Sequence, residues 1–361
     1  MFENRAKPLL EWYKKEKRSL PWREDATPYH IWVSEIMLQQ TRVEAVKRYY
    51  ARFLEKLPTI EALAECEEEI LLKLWEGLGY YNRVKNMQKA AKVIVEKYDG
   101  EMPSDYDKIL ELPGIGSYTA GAIASIAFGV RKPAVDGNVL RVLARQEEWE
   151  KDIAKTSTKK EAEYILEEQM PENDAGEFNQ SLMELGATVC LPNGMPKCEK
   201  CPILNCCKSK KHGTIEQYPK KSGKVKRRIE KKTVLLIQKQ EYFAVRKRPD
   251  EGLLAGLYEF PNQEGFLSEK EVLFFVEKQN LVPIQIKKIE NAKHIFSHVE
   301  WQMQGYFILV EDTELKKSKD FIFIDKEEAS ENYPMPSAFS VYKKYMDKKL
   351  ELKDSKCQMK D

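Results

Sequence analysis

The hydrophobic period of the chain changes once, and the change falls across a stretch that cannot build a core of its own. Up to about residue 207, apolar residues recur at three- and four-residue intervals in "YHIWVSEIMLQQ", "RVEAVKRYYARFLEKL", "EEEILLKLWEGL", "VKNMQKAAKVIVEKY", "YTAGAIASIAFG" and "GEFNQSLMELGATVC". That is the spacing of helices with one apolar face, and short Pro, Gly and Asp punctuation separates them. The segment Lys208–Lys232, "KSKKHGTIEQYPKKSGKVKRRIEKK", has almost no apolar content and reads as a solvated basic tether. Beyond it, "TVLLIQKQ", "YFAVRKR", "GLYEFP" and "EWQMQGYFILV" read as strands, with helices near "SEKEVLFFVEKQ" and "PSAFSVYKKYMDKKL". The sequence therefore predicts two domains of different class: an all-α domain over 1–220, a basic linker over 221–232, an α+β domain over 233–350 and a disordered tail over 351–361. With 361 residues the chain is long enough for two cores.

Composition then narrows the setting. Lys and Arg (60) nearly balance Asp and Glu (58), so the placement of basic residues says more about partners than net charge does. No apolar run approaches about 18 residues, so no membrane span is expected. The N-terminus lacks the apolar core and cleavage site of a signal peptide. A cytosolic protein with reduced thiols is the expectation.

Against that background the cysteines are unevenly placed: five of the seven lie in "CLPNGMPKCEKCPILNCC". Cys190, Cys198, Cys201 and Cys207 are separated by seven, two and five residues. Four thiolates can hold a zinc ion or an iron–sulfur cluster. Zinc sites usually pair two C-x-x-C-like knuckles, and this stretch has one such pair. Cys206 competes with Cys207 for the fourth place, and spacing favours Cys207. Either group would be structural, because four protein ligands leave no open coordination position.

Two further stretches carry chemistry. "LPGIGSYTAG" puts Gly114 and Gly116 in a tight turn before a helix, where glycine admits positive φ and lets the backbone approach a ligand. The N–H groups at the helix start suit an anion. The same pattern also describes an ordinary turn between helices. Asp136, in "PAVDGNVLRVLAR", is well placed as a helix N-cap. Glu35, in "IWVSEIMLQQT", is surrounded by Ile31, Trp32, Val33, Ile36, Met37 and Leu38. It either occupies a polar helix face or sits in apolar surroundings that raise its pKa toward that of a general acid. Cleavage of an N-glycosidic bond needs one group to protonate the leaving base and another to stabilise the oxocarbenium-like sugar. Two carboxyls in unlike environments supply both.

The cysteine loop, with a first gap one residue longer than usual, resembles the [4Fe–4S] loop of the endonuclease III/MutY class of DNA glycosylases. "PYHIWVSEIMLQQTRV", "LWEGLGYYNRVKNMQKAA", "LPGIGSYTAGAIASIAFG" and "DGNVLRVLAR" extend the resemblance across the first domain. It implies a helix-hairpin-helix fold whose Leu112–Gly116 hairpin holds a DNA phosphate without reading sequence. It also implies a [4Fe–4S] cluster on Cys190, Cys198, Cys201 and Cys207, with Glu35 as the proton donor to N7 of a flipped adenine. Asp136 would stabilise the sugar cation, supported by Tyr118 and Asn138. Gln40 and Tyr80 would fill the gap left by the extruded base; read without the resemblance, they are a surface glutamine and a tyrosine capping a core. Bifunctional relatives carry lysine where this chain has Tyr118, and a phenol cannot form the Schiff base of a lyase step. The second domain resembles a Nudix fold in "RKRPDEGLLAGLYEFPN", but "FLSEKEVLFFVEKQN" lacks the acidic set that would hold magnesium. Phe296, Ser297 and His298 match the loop with which the MutY family senses 8-oxoguanine opposite adenine; the alternative is a plain turn between strands.

The expectation is a monomeric, nucleoid-associated, monofunctional glycosylase acting on double-stranded DNA with A:8-oxoguanine or A:G mispairs. Its rivals are an endonuclease III-like glycosylase/lyase for oxidised pyrimidines and a non-catalytic lesion-binding module. Lys224, Lys226, Arg227 and Arg228 are read as a tether able to follow the DNA backbone.

Overall fold

The computed structural model describes residues 5–223, 226–312 and 320–346. Its internal contacts divide the chain into two compact units, Met1–Cys66 with Asn82–Lys224, and Glu67–Tyr81 with Val225–Asp361. No helix among the described residues is long and apolar enough to cross a membrane. Lys224 and the tail 351–361 lie outside the described residues.

The first unit is helical, and seven of its helices place the site: α1 (Ala6–Glu16), α2 (Pro28–Leu38), α3 (Asn82–Tyr98), α4 (Tyr106–Leu110), α5 (Ser117–Phe128), α6 (Gly137–Glu147) and α7 (Ala175–Thr188). Helix α2 starts where the Thr27 side chain accepts from the His30 N–H at 3.2 Å, with Pro28 in the first turn. Its residues from Ile31 to Met37 are all buried, so it is a core helix with no solvent-exposed polar face. At its other end the Arg83 Nη1 donates to the carbonyls of Ile36 (2.7 Å), Met37 (3.2 Å) and Gln39 (2.6 Å). One guanidinium thus satisfies carbonyls that the helix end leaves open. The chain then turns sharply through Gln40 at φ 59. Helices α6 and α7 share a core with Leu9 of α1, and Cys190 and Cys201 pack against that core.

The second unit is built on a mixed sheet: β1 (Arg228–Lys239), β2 (Tyr242–Lys247), β3 (Tyr258–Glu259), β4 (Asn262–Glu264), β5 (Pro283–Ile295), β6 (Val299–Val310) and β7 (Ile322–Ile324). The main order is β3-β2-β1-β6-β5, with β4 paired to β1 and β7 to β2. Strand β1 runs parallel to β6 from Arg228↔Val299 to Gln238↔Leu309, and its other pairings are antiparallel. Along "TVLLI" the side chains alternate between two cores: Val234 and Leu236 join Trp301, Phe307 and Phe339, while Leu235 and Ile237 join Val272, Val276 and Ile308. A central strand covered on both faces reads as a continuous apolar run for this reason.

Three expectations need correcting. Strand β1 begins at Arg228, so the basic stretch 228–232 is sheet rather than tether; parallel pairing to β6 supplies backbone partners that its polar side chains do not announce. Upstream, Lys208–His212 forms a short helix. Strand β5, "PIQIKKIENAKHI", was not expected, because an edge strand exposes most of its side chains and loses the alternating apolar signal. Of the helix expected in "PSAFSVYKKYMDKKL", the described residues, up to 346, hold a 3-10 turn, Ser337–Phe339, and the short helix Ser340–Lys343, and 347–350 lie outside them.

Candidate active site

Glu35, Asp136, Tyr118 and Asn138 line one cavity of about 690 Å³ in the first unit, within the usual range for small-ligand clefts, about 300–1,000 Å³. Glu35 is 6% exposed. Burial pushes its carboxyl up to about 7; the Tyr118 hydrogen bond opposes this and the Asp136 charge adds to it. The Tyr118 hydroxyl donates to Glu35 Oε2 at 2.5 Å, and the phenol itself is pushed well above its ordinary value by burial and by the neighbouring Glu35. The polar-face reading of Glu35 therefore does not hold.

Asp136 fulfils both of its readings at once. Its Oδ1 accepts from the Val139 N–H at 2.8 Å as the N-cap of α6, and its Oδ2 accepts from Asn138 Nδ2 at 2.7 Å. Burial raises its pKa, while the Val139 N–H, the Asn138 amide and the Arg141 guanidinium favour the anion. Asn138 is held in turn by Arg141 Nη2 at 2.9 Å, and the same guanidinium reaches the carbonyls of Gly186 (2.8 Å) and Cys190 (2.9 Å). A continuous chain of hydrogen bonds thus connects Asp136 to the first cysteine of the loop. No local pattern of residues announces it.

The same cavity contains residues that sequence reasoning missed: Arg18, Arg23, Gln180, Met183 and Glu184. Glu184 is 1% exposed. Arg18 Nε reaches it at 2.6 Å and Arg23 Nη2 at 2.8 Å, and the two guanidiniums outweigh burial to hold its carboxyl below the usual range. A signal for this wall existed. Gln180, Met183, Glu184 and Ala187 follow the spacing of one helix face, and two polar side chains on a face otherwise suited to a core mark a lined cavity. Gln40 stands at the rim, exposed and in the left-handed region.

In the hairpin between α4 and α5 the two glycines have different reasons. Gly114 has φ +76, and a Cβ there would lie 2.5 Å from the Asn86 Cβ, so both conformation and space require glycine. Gly116 has ordinary φ, and a Cβ there would meet nothing within 4 Å. The space over Gly116 is open, and the first N–H groups of α5 have no side-chain cap. Leu112 is 3% exposed and anchors the hairpin in the core.

In the cysteine loop, Cys190, Cys198, Cys201 and Cys207 line one small cavity with Val142, Leu185 and Leu204, and Cys206 is not among its walls. The geometry thus agrees with spacing in setting Cys206 apart. Arg145 Nη1 donates to the Cys190 sulfur at 3.3 Å. Among the described residues, no group of three or more His, Cys, Asp or Glu side chains is disposed to hold a single metal ion.

In the second unit, Phe296, Ser297 and His298 form the turn between β5 and β6. Phe296 is turned inward onto Trp301 (ring centroids 4.9 Å apart) and His294 (4.6 Å), leaving Ser297 and His298 exposed. Phe296 thus anchors the turn to the sheet.

Comparison with known proteins agrees with this geometry. Residues 33–172 match the HhH-GPD superfamily of base excision DNA repair proteins, and residues 233–344 match the NUDIX domain. An adenine DNA glycosylase of Buchnera aphidicola is 35% identical over 84% of this chain and 85% of its own. The human adenine DNA glycosylase is 33% identical over 84% of this chain and 66% of its own. Among solved structures, a thermostable thymine-DNA glycosylase is similar with a TM-score of 0.51 and 29% identity, over 57% of this chain and 95% of its own. A non-covalent endonuclease III–DNA complex is similar with a TM-score of 0.50 and 26% identity, over 59% of this chain and 98% of its own.

Proposed function

Because the chain belongs to the adenine DNA glycosylase family, we propose that it hydrolyses the N-glycosidic bond of adenine mispaired with 8-oxoguanine or guanine in double-stranded DNA, without cleaving the strand. The observation that carries this reading is two carboxyls of different support on one cavity: Glu35, pushed up to about 7 by burial, and Asp136, raised by burial but with its charge countered by the Val139 N–H, the Asn138 amide and the Arg141 guanidinium. With Oε2 accepting from Tyr118, the acidic proton of Glu35 resides on Oε1 and faces the cavity. That proton passes to N7 of the flipped adenine as the C1′–N9 bond breaks, and Asp136 stabilises the cation left on the sugar. A water then adds its oxygen to C1′ and returns a proton to Glu35, leaving an abasic site. The hairpin receives a backbone phosphate over Gly116, and Gln40 and Tyr80 occupy the vacated base step.

The lyase alternative needs an amine at the sugar. Lys159 is the lysine among the cavity walls, and its Nζ is engaged by Ser117 Oγ at 3.1 Å and Glu163 at 3.7 Å. The deciding experiment uses a duplex with one A:8-oxoguanine pair. Scission only after alkali, and no borohydride-trapped adduct, is the expected result; scission without alkali accompanied by a trapped adduct would overturn the monofunctional reading.

The cysteine loop fits a [4Fe–4S] cluster. Four thiols lining one apolar-walled cavity are the donor set that such a cluster takes. When bound, the cluster would tie the loop together as a structural staple. Cys201→Ser is expected to lose bound iron and sulfide, whereas Cys206→Ser keeps both; equal loss in the two variants would reassign the fourth ligand.

The two hairpin glycines should also separate experimentally. Gly114→Ala is expected to cost more than about 1 kcal/mol of stability through strain and the Asn86 contact. Gly116→Ala should leave the denaturation midpoint unchanged and weaken binding to any duplex alike, measured by fluorescence anisotropy.

A further inference from the structure

The helix that carries the acid also leads directly into the wedge. Glu35 lies one turn before the end of α2, and Gln39 and Gln40 follow its last residue, Leu38. Gln39 leaves the helix at φ −58 and ψ 111, and Gln40 then enters the left-handed region at φ 59. Glutamine lacks the short side chain that lets asparagine favour this region through a local hydrogen bond. Such a turn persists where its surroundings over-determine it. The Gln40 side chain is exposed, so the constraint comes through the backbone.

Two fastenings within the helical unit supply it. Arg83, in the first turn of α3, donates from Nη1 to the carbonyls of Ile36 (2.7 Å), Met37 (3.2 Å) and Gln39 (2.6 Å). One guanidinium therefore spans the last turn of α2 and the first residue beyond it, and its charge meets the negative end of that helix. The second fastening is Gln39, whose Nε2 donates to Thr119 Oγ1 at 3.3 Å. Thr119 is 2% exposed and follows Tyr118, whose hydroxyl donates to Glu35. The turn is thus tied to α3 on one side and, on the other, to the stretch of α5 that orders the acid.

We propose that Arg83 is a positioning residue for base extrusion, holding the Gln39–Gln40 turn as a rigid wedge in fixed register with Glu35. This rests on the wedge role and the glycosylase reading proposed above. Extrusion costs unstacking and unpairing, and a wedge offsets that cost best when it is already ordered before it enters the duplex. Without the guanidinium, the carbonyls of Ile36, Met37 and Gln39 lose this donor, Gln40 relaxes out of the left-handed region, and its amide leaves the line of the base step. The acid and the phosphate contacts remain. What falls is the fraction of bound duplexes with the adenine out of the stack.

The test reads extrusion without catalysis. In a Glu35→Gln background, 2-aminopurine replaces the target adenine, and its fluorescence gain on unstacking is measured at saturating protein. Arg83→Met keeps the apolar stem and is expected to lower the extrusion equilibrium roughly tenfold, the factor for losing a charge-assisted hydrogen bond. Arg83→Lys keeps the charge at the helix end and so protects the fold, but it is a point donor on a flexible stem; an intermediate loss is expected. Gln40→Ala should also lower extrusion, and adding Arg83→Lys to it should cost nothing further, because Arg83 acts through Gln40. With Glu35 intact, Arg83→Lys should slow adenine release less when the target lies in an unpaired bubble than when it is paired. Unchanged extrusion in Arg83→Lys, losses that multiply in the double variant, or equal slowing on paired and bubble substrates would each overturn the assignment. A parent that extrudes 2-aminopurine but, with Glu35 restored, releases no adenine would refute the glycosylase reading and leave the role of Arg83 standing.

Discussion

Glu35→Gln is expected to slow adenine release roughly 10²–10⁴-fold and, at the same time, to make the protein more stable above neutrality. The two effects have one cause. Glu35 is buried, and its carboxyl is pushed from an ordinary value of 4.5 up to about 7. Between these pH values the folded chain binds more protons than the unfolded one, so stability falls as pH rises from 4.5 to 7 and stays lowered above it. A shift of this size corresponds to a penalty on the order of 3 kcal/mol at alkaline pH. Glutamine keeps a side-chain oxygen for the Tyr118 hydroxyl and carries no charge, so the penalty disappears. Denaturant titrations of both proteins near pH 5 and pH 8 check this: their difference should be small in acid and large in base. Wild-type protein should lose about tenfold in rate per pH unit above pH 7 as Glu35 gives up its proton, and should slow again in acid as Asp136, raised by burial, takes one up. Equal stability of the two proteins at pH 8 would mean that Glu35 ionises as an ordinary surface carboxylate.

Asp136→Asn should be the second large loss, roughly 10²–10³-fold in single-turnover release, the worth of one preorganised electrostatic group. The fold should survive, because asparagine is as good an N-cap as aspartate and can still accept from the Val139 N–H. What cannot be kept is the contact with Asn138. Its Nδ2 donates to Asp136 Oδ2, while its Oδ1 is already taken by Arg141. A second amide at 136 would set two N–H donors against each other. The expected signature is thus a large fall in rate with duplex binding retained and a melting temperature lowered by a few degrees. A variant that melts like an unfolded mutant, or one that cleaves at the wild-type rate, would show that Asp136 serves only as a cap.

What the sequence made legible was local. Helical periodicity with Glu35 among apolar neighbours, the D-G-N start of α6, the glycine turn and the cysteine spacing are all written in adjacent residues, and the structure brings Glu35, Asp136, Tyr118 and Asn138 to one cavity. What it hid depends on long-range approach. Arg18 and Arg23 meet Glu184 across more than 160 positions, and no periodicity registers such a pairing. The Arg141 bridge from Asn138 to Cys190 is hidden for the same reason. The Glu68–Leu74 helix has an ordinary helical pattern, and only long-range contacts such as Glu69 with Lys247 and Lys73 with the Ala329 carbonyl show that it clusters with the sheet unit. Strand β5 failed to announce itself because its edge position leaves its side chains largely in solvent.

Everything proposed for catalysis depends on Glu35 carrying a proton at neutral pH while facing the substrate cavity. Difference infrared spectroscopy of wild type against Glu35→Gln isolates that single carboxyl through its protonated C=O stretch. A band that titrates away with a midpoint near 7 is the expected result; a midpoint near 4.5, with only carboxylate present at neutrality, would contradict the assignment of Glu35 as the acid.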